Sequence, residues 1–301
     1  MTDRDAPGAS AAAQSGPVLV TGSTGTTGRH LTRLLRERGA RVREASRRPR
    51  PGAGPDTSVF FDWGDPATYP AALDGVSGVY LLRPPRPPDA MALAERFLAA
   101  ARAAGARRIV LLHSVVTGPA GMPEIRQAVE GTAPEYAILQ PSWFMQNFTG
   151  THPTAVALRE QGEIATATGD GRIGFIDARD IAAAAATALL APGPPNTRYV
   201  LTGPETLSYP QAAAIISEVT GRSIRHNALT AGQLTARWTA AGLPENLARA
   251  AADLDITISR GDYDYTTPGV QDLTGQPPRS FQDFAAEHRD TWQAPVPAGR
   301  D

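Results

Sequence analysis

Cysteine is absent from the 301 residues, and so is lysine: all 29 basic side chains are arginine. Without cysteine there are no disulfides, thiolate nucleophiles or cysteine metal sites. Without lysine, a Schiff base, a Walker-type phosphate lysine and a Tyr-x-x-x-Lys proton relay are all impossible. The heavy use of Ala, Pro, Gly and Arg fits a GC-rich genome, so codon bias alone can explain the missing lysine. No apolar run approaches the roughly 20 residues of a membrane span. The opening MTDRDAPGASAAAQSG lacks the apolar core of a signal peptide, so a cytoplasmic protein is expected. The net charge of -1 gives no general attraction to nucleic acid or to an anionic membrane. A small-molecule substrate is the expected partner, and the oligomeric state is left open.

What is present is a long alternation of short apolar runs with helical ones. Residues 1–16 read as a disordered leader and 294–301 as a tail. PVLVTG (17–22), ARVREAS, TSVFFD, GVYLLR, RRIVLLHS and YAILQP are strand candidates. Leu31, Leu34 and Leu35 have helical spacing and stop at Gly39, and MALAERFLAAARAAGA is an alanine-rich amphipathic helix. Short apolar strands separated by helices indicate a doubly wound parallel α/β sheet. After Pro141 the pattern loosens. IGFIDARDIAAAAATALL reads as one more strand entering a helix capped by Asp177 or Asp180, RYVLTG and SIRHNAL as short strands, and SYPQAAAIISEVTG as a helix ended by Gly221. The expected division is a nucleotide-binding domain of residues 17–142 plus 171–191 and a smaller, mostly helical lobe of 143–170 plus 192–293.

The strongest motif is VTGSTGTTGRH, in which Gly22, Gly25 and Gly28 stand between the first strand and the first helix. Glycines there permit a tight turn, close approach of backbone to a diphosphate and close helix packing, while the helix N-terminus supplies donors. Ser23, Thr24, Thr26 and Thr27 add hydroxyls. The loop's context favours a dinucleotide over an ordinary turn. The next strand ends in Ser46-Arg47-Arg48, where a free ribose 2'-hydroxyl would call for an acid and a 2'-phosphate for arginine; NADP(H) is the expected cofactor. Arg33, Arg36, Arg38, Arg41, Arg43 and Arg50 thicken the local charge, as a solvated helix face or, at the margin, a nucleic-acid patch. Asp62 and Trp63 end the third strand, where they either contact the adenine or, for Asp62, cap a turn.

The glycine spacing, the Ser-Arg-Arg, VYLLRPP (79–85) and LQPSWFMQNF (139–148) resemble the NmrA-like branch of the atypical short-chain dehydrogenase/reductases. FDWGD (61–65), GLPENLARAAADLD (242–255) and TGQPPRSFQDFAAEHRDTW (274–292) narrow the likeness to the ergot-alkaloid late-pathway reductases of the festuclavine dehydrogenase type. The resemblance implies a Rossmann-type domain, a nicotinamide cofactor and a small, partly aromatic substrate. It implies that Gly22, Gly25 and Gly28 hold the diphosphate and Arg47 and Arg48 the 2'-phosphate. Leu82, Arg83 and Pro84 would pass beside the cofactor ribose, with Pro141 and Ser142 near the nicotinamide. Trp143, Phe144 and Asn147 would begin the substrate pocket, while plain core packing is the better reading for two of Trp143, Phe144, Met145 and Phe148.

Short-chain dehydrogenases protonate a carbonyl substrate from Tyr-x-x-x-Lys on the helix after the fifth strand. Here that segment reads VTGPAGMPEIRQAVEG, without tyrosine or lysine. Either another group donates the proton or the acceptor is already cationic, as an iminium carbon is. Ser114, His113, Tyr80, Glu124 and Glu130 are the local candidates; Ser114 is the candidate catalytic residue, and Tyr80 counts also among the substrate contacts. His113 belongs with the cofactor contacts, on a strand expected to floor the nicotinamide. Strand alternation sends neighbouring side chains to opposite faces, which argues against a His113-Ser114 dyad. Glu130 reads as a structural acid, and His30, His152, His226 and His288 have no metal-ligand spacing. The leading expectation is an NADPH-dependent reductase of a small cyclic or aromatic metabolite, acting on an imine or iminium, an activated double bond or a quinone-like carbonyl. A non-catalytic NADP(H) sensor and a non-redox cyclase remain the alternatives.

Overall fold

Val18, Leu19, Val20 and Thr21 are all at most 1% exposed, as expected for a strand covered on both faces. In the computed structural model, which describes residues 16–84, 89–115, 123–193 and 196–293, they form β1 (Val18–Thr21). The expected leader and tail, apart from Gly16, lie outside the described residues. The chain continues through α1 (Gly28–Glu37), β2 (Val42–Ser46), β3 (Ser58–Phe60), α2 (Tyr69–Leu73), β4 (Gly78–Leu82), α3 (Ala90–Ala103), β5 (Arg108–Leu112), α4 (Pro123–Thr132) and β6 (Glu135–Pro141). Then follow α5 (Pro153–Gln161), β7 (Glu163–Thr166), β8 (Arg172–Ile173), α6 (Ala178–Leu190), β9 (Thr197–Leu201), β10 (Leu207–Ser208) and α7 (Tyr209–Thr220). The last elements are β11 (Arg225–Ala228), α8 (Ala231–Ala240), α9 (Glu245–Ser259), α10 (Gly269–Thr274) and α11 (Phe281–His288).

The main sheet has the order β3-β2-β1-β4-β5-β6-β9. β1 pairs in parallel with both β2 and β4, so the chain winds outward one way through β3 and then crosses back. That reversal makes the carboxyl ends of β1 and β4 a topological switch point, where α/β sheets open a crevice for ligands. The expected doubly wound α/β class is what the structure has.

The described residues fall into two compact units. The first takes the residues up to His113, then 123–138 and Ala185–Arg198; the second takes Ser114, Val115, Leu139–Ala184 and the residues from Tyr199 onward. In the first unit the apolar residues of β1, β4 and β5 pack with Phe97, Leu98 and Ala101 of α3 and Tyr69 and Leu73 of α2. Arg108 is buried there with its whole fork used: Nη1 donates to the carbonyls of Leu189 and Ala191 at 2.9 and 2.6 Å, and Nε to Glu135 Oε2 at 2.9 Å. The guanidinium thus closes the carboxyl end of α6 against the start of β6.

The second unit gathers Phe148, Phe175, Phe281, Phe284, Trp292 and Tyr209 into its own aromatic core. Its α7 begins with a capping box between Ser208 and Gln211 and ends at Gly221 with φ 70°, the stop expected from the sequence. The segment IGFID differs from its expectation. Only Arg172–Ile173 is strand, paired antiparallel with β10, and the seventh strand of the main sheet is β9. Gly174 interrupts the run because a Cβ there would stand 2.9 Å from Thr202 and 3.0 Å from the Tyr265 carbonyl. Asp177 then starts α6, its Oδ1 accepting from the Arg179 amide at 2.9 Å, while Asp180 Oδ2 accepts from the Arg279 amide.

Candidate functional site

The glycine loop owes its shape to three different constraints. Gly22 has φ 63°, a left-handed conformation that costs glycine little, and a Cβ there would lie 2.3 Å from Leu82 Cδ1. Gly25 closes the turn, its amide donating to the Gly22 carbonyl at 2.9 Å. At Gly28 a Cβ would stand 2.2 Å from the Gly22 carbonyl oxygen and 2.9 Å from Ser23 Cα, both backbone atoms that cannot step aside. Only glycine lets α1 begin directly on the loop. The helix opens with no acid in its first turn and no side-chain cap, so its positive end carries no built-in counter-charge. This loop fits a dinucleotide diphosphate.

Beside it lies a cleft of about 910 Å³ lined by Gly22, Thr24, Ala45, Ser46, Arg47, Arg48, Phe61, Asp62, Trp63, Leu82 and Arg83. Nine of these residues were expected from the sequence. Ala45 and Phe61 were missed: one is a small residue in a strand interior, the other lies within the FDWGD motif that was read only as a resemblance. Gly25 and Thr26 are exposed on the loop, and Thr27 and Gly28 are buried where α1 begins.

Charge at the end of β2 is sorted. Arg36 and Arg50 each stand 2.6 Å from Glu44 Oε1, and together they hold its carboxyl below the usual range against the opposing effect of burial. Arg43 is buried and donates to the Ala72 and Asp74 carbonyls and to Asp56. Arg33 pairs with Glu37, and Arg38 donates to Thr187. Arg47 and Arg48 are exposed on the cleft and enter no ion pair among the described residues. Their backbone is fixed by Ser46, whose hydroxyl accepts from the Arg48 amide at 2.9 Å. Past the end of the neighbouring β3, Asp62 Oδ1 accepts from the Gly64 amide at 2.9 Å, a turn cap that still leaves the residue on the cleft. Trp63 packs edge-on against Phe61 at 5.2 Å, and its carbonyl receives the Tyr69 hydroxyl.

The other expected residues are distributed as follows. Pro84 is buried just beyond β4, and His113 is 4% exposed just beyond β5. Ser114, its neighbour, is exposed and, like His113, lies past the last strand residue, Leu112. Tyr80 is fully buried in β4, its hydroxyl donating to Thr27 Oγ1 at 2.9 Å, and desolvation pushes its phenol far up. Glu124 is exposed in the first turn of α4. Glu130 is held by Arg198 through both oxygens at 2.6 and 2.7 Å, which keeps its carboxyl below the usual range. Part of the segment that would carry a Tyr-x-x-x-Lys relay, residues 116–122, lies outside the described residues.

In the second unit Pro141 is buried, its carbonyl accepting from Val115, and the Ser142 amide donates to Leu201. Met145 and Phe148 are core residues at 1% and 0% exposure, whereas Trp143, Phe144 and Asn147 remain half-buried. Trp143 also packs against the core that holds Met145 and Phe148. Among the described residues no group of three His, Asp or Glu could hold a metal ion, and no helix is long and apolar enough to cross a membrane.

Comparison with known proteins agrees with this geometry. A family model described as NAD(P)H-binding matches residues 22–192. The chain is 39% identical to the oxidoreductase YesF of Bacillus subtilis over 92% of this chain and 96% of that one. It is 36% identical to an agroclavine dehydrogenase of Claviceps fusiformis, over 91% and 98% of the two chains. It is also 36% identical to an NAD(P)H azoreductase of Xenophilus azovorans, over 90% and 97%. In fold it is similar to an NADPH-dependent quinone oxidoreductase of Escherichia coli, with a TM-score of 0.77 and 24% identity over 90% and 99% of the chains. The chain belongs to the NAD(P)H-binding oxidoreductases, in the ergot-alkaloid-type, NmrA-like branch of the atypical short-chain dehydrogenase/reductases.

Proposed function

We propose that this protein uses NADPH to reduce a small cyclic or aromatic metabolite, delivering hydride to an imine or iminium carbon, an activated double bond or a quinone-like carbonyl. The observation that carries the reading is the missing proton relay. The chain has no lysine, Tyr80 is buried and bonded to Thr27, and Glu130 is taken by Arg198. An iminium carbon needs no relay: it accepts hydride with its electron pair, the nitrogen takes up the π pair, and a neutral amine results without proton uptake. Azo and quinone groups, named in two of the similar proteins, also accept hydride, and the anion that results takes its proton from water.

Gly22, Gly25 and Gly28 would hold the diphosphate, and Arg47 and Arg48 the 2'-phosphate. NADPH is preferred in this reading because both guanidiniums face the cleft and enter no ion pair among the described residues, in contrast to Arg36 and Arg50. When bound, the cofactor supplies the hydride. Leu82, Arg83, Pro84 and His113 are proposed along it, with Pro141 and Ser142. Trp143, Phe144 and Asn147 are proposed as substrate contacts, and Ser114 as a polar group that orients the substrate.

The test is a comparison of NADPH and NADH consumption with cyclic iminium salts, enones, quinones and simple ketones. Turnover of the conjugated acceptors with NADPH is expected. Reduction of simple ketones alone would overturn the reading.

A further inference from the structure

Between α9 and α10 the chain reads GDYDY (261–265), two tyrosines and two acids in five residues. Its backbone is pinned from both ends. Gly261 turns with φ 86°, the Asp264 amide donates to the Gly261 carbonyl at 3.1 Å, and the Tyr265 amide donates to the Tyr263 carbonyl at 3.0 Å. Two residues on, the Thr267 amide donates to Thr202 Oγ1 at 2.9 Å. The segment runs so close to Gly174 that a Cβ there would stand 3.0 Å from the Tyr265 carbonyl, and just before the segment the end of α9 approaches Gly171, where a Cβ would stand 2.3 Å from the Ile258 carbonyl. The aromatic rings therefore stand on a fixed support, which lowers the entropy lost when they bind something.

The Tyr263 ring meets Trp143 edge-to-face, with centroids 4.7 Å apart and planes at 68°. Both rings are half-buried, and Tyr265 is 37% exposed. Asp262 and Asp264 are exposed on either side of Tyr263. Asp264 lies 3.7 Å from Arg172, a loose surface pair, and Asp262 has no ion pair among the described residues. Electron-rich ring faces flanked by carboxylates attract organic cations.

We infer that Trp143 and Tyr263, with Tyr265 two positions further along the same segment, form a site that selects a cyclic iminium or ammonium ion over a neutral molecule of the same shape. This rests on the proposed function and deepens it, because it assigns the positive charge of the substrate to named side chains. An edge-to-face pair that served packing alone would hold a cation and its neutral isostere equally well.

The experiment is equilibrium dialysis of N-methylisoquinolinium and its neutral isostere, methylnaphthalene, against the full-length protein with NADP+. The expected result is that the cation binds more tightly and that Tyr263→Leu lowers the cation-to-neutral ratio about three- to tenfold. Tyr263→Phe keeps the ring and should hold the ratio within about twofold of wild type. A wild-type ratio of one, or an equal loss of both ligands in Tyr263→Leu, overturns the inference. Should Tyr263→Leu fail to fold, Tyr265→Leu on the more exposed ring takes its place, and an unchanged ratio there overturns it too. Turnover is measured separately with a reducible iminium salt. An intact ratio without turnover defeats only the proposed reaction, and turnover with a ratio indifferent to both tyrosines defeats only the cation site.

Discussion

The Tyr80 hydroxyl donates to Thr27 Oγ1 at 2.9 Å, with both residues almost wholly buried. Beneath the same loop Thr21 Oγ1 donates to the Tyr80 carbonyl and accepts from the Leu82 amide, each at 2.9 Å. The phosphate loop is thus tied to β4 from below by three hydroxyls. Thr27 occupies the position before α1 without capping it, its oxygen being engaged by Tyr80 instead. Tyr80→Phe should cost about 1–3 kcal/mol in thermal or urea unfolding, because it leaves the Thr27 hydroxyl buried without its donor. Combining it with Thr27→Val should recover part of that loss, since two apolar groups replace both partners. A double variant no more stable than the single one would mean that the pair is incidental.

Arg47 and Arg48 are predicted to discriminate between cofactors and not to support the fold. Replacing both by alanine should raise the KM for NADPH at least tenfold, leave that for NADH within about threefold, and leave the melting temperature unchanged. Steady-state kinetics with both cofactors checks this. Equal losses would remove the 2'-phosphate assignment.

Two glycines separate close approach from backbone conformation. Gly28→Ala places a Cβ against two backbone atoms of the loop and should weaken NADPH binding more than tenfold, read by fluorescence titration. Gly39→Ala meets open space but keeps a φ of 78°; it should cost about 1 kcal/mol of stability and leave cofactor affinity alone.

Asp255 tests the electrostatics of the second unit. It is 9% exposed, its Oδ2 accepts from the Ala167 amide at 2.8 Å, and burial raises its carboxyl from 3.8 to about 6. A raised folded-state value means the native state binds the proton more tightly than the unfolded chain. Stability is therefore lost as pH rises from about 4 to about 6, and the full cost persists above that window. Asp255→Asn should be more stable than wild type at pH 7.5, by at most about 3 kcal/mol, and the advantage should vanish near pH 3.5. Urea melts across that range decide it; an advantage independent of pH would point to packing.

Ser114→Ala should retain turnover of an iminium substrate within about threefold, because that acceptor requires no proton. A loss beyond a hundredfold, with KM unchanged, would make Ser114 a chemical participant.

The sequence carried the local part of this description well. Glycine spacing, strand runs and the Ser-Arg-Arg follow from neighbouring residues, and the structure has them where the pattern puts them. It failed where a distant backbone decides. IGFID reads as a strand until Gly174 is seen packed against Tyr265, and Phe61, an apolar strand-end residue, reads as plain core although it lines the cleft beside Asp62 and Trp63. Trp143 and Tyr263 are 120 positions apart, a pairing that no periodicity can express. Tyr80 misled for a related reason. Its apolar neighbours are compatible with either face of β4, and only Thr27 shows that its hydroxyl is turned toward the loop.

Arg108 gives the missing lysine a practical meaning. A planar fork reaches the Leu189 and Ala191 carbonyls and a carboxylate at once, work that a single ammonium on a flexible stem does poorly. A scaffold stitched in this way offers no ε-amine to acetylation, ubiquitination or amine-directed glycation. Guanidinium reagents would instead divide the arginines by accessibility, taking Arg47 and Arg48 at the cleft while Arg43 and Arg108 stay sealed. One lysine introduced on the surface would also be the sole side-chain amine, a single addressable point for attaching a probe or a support.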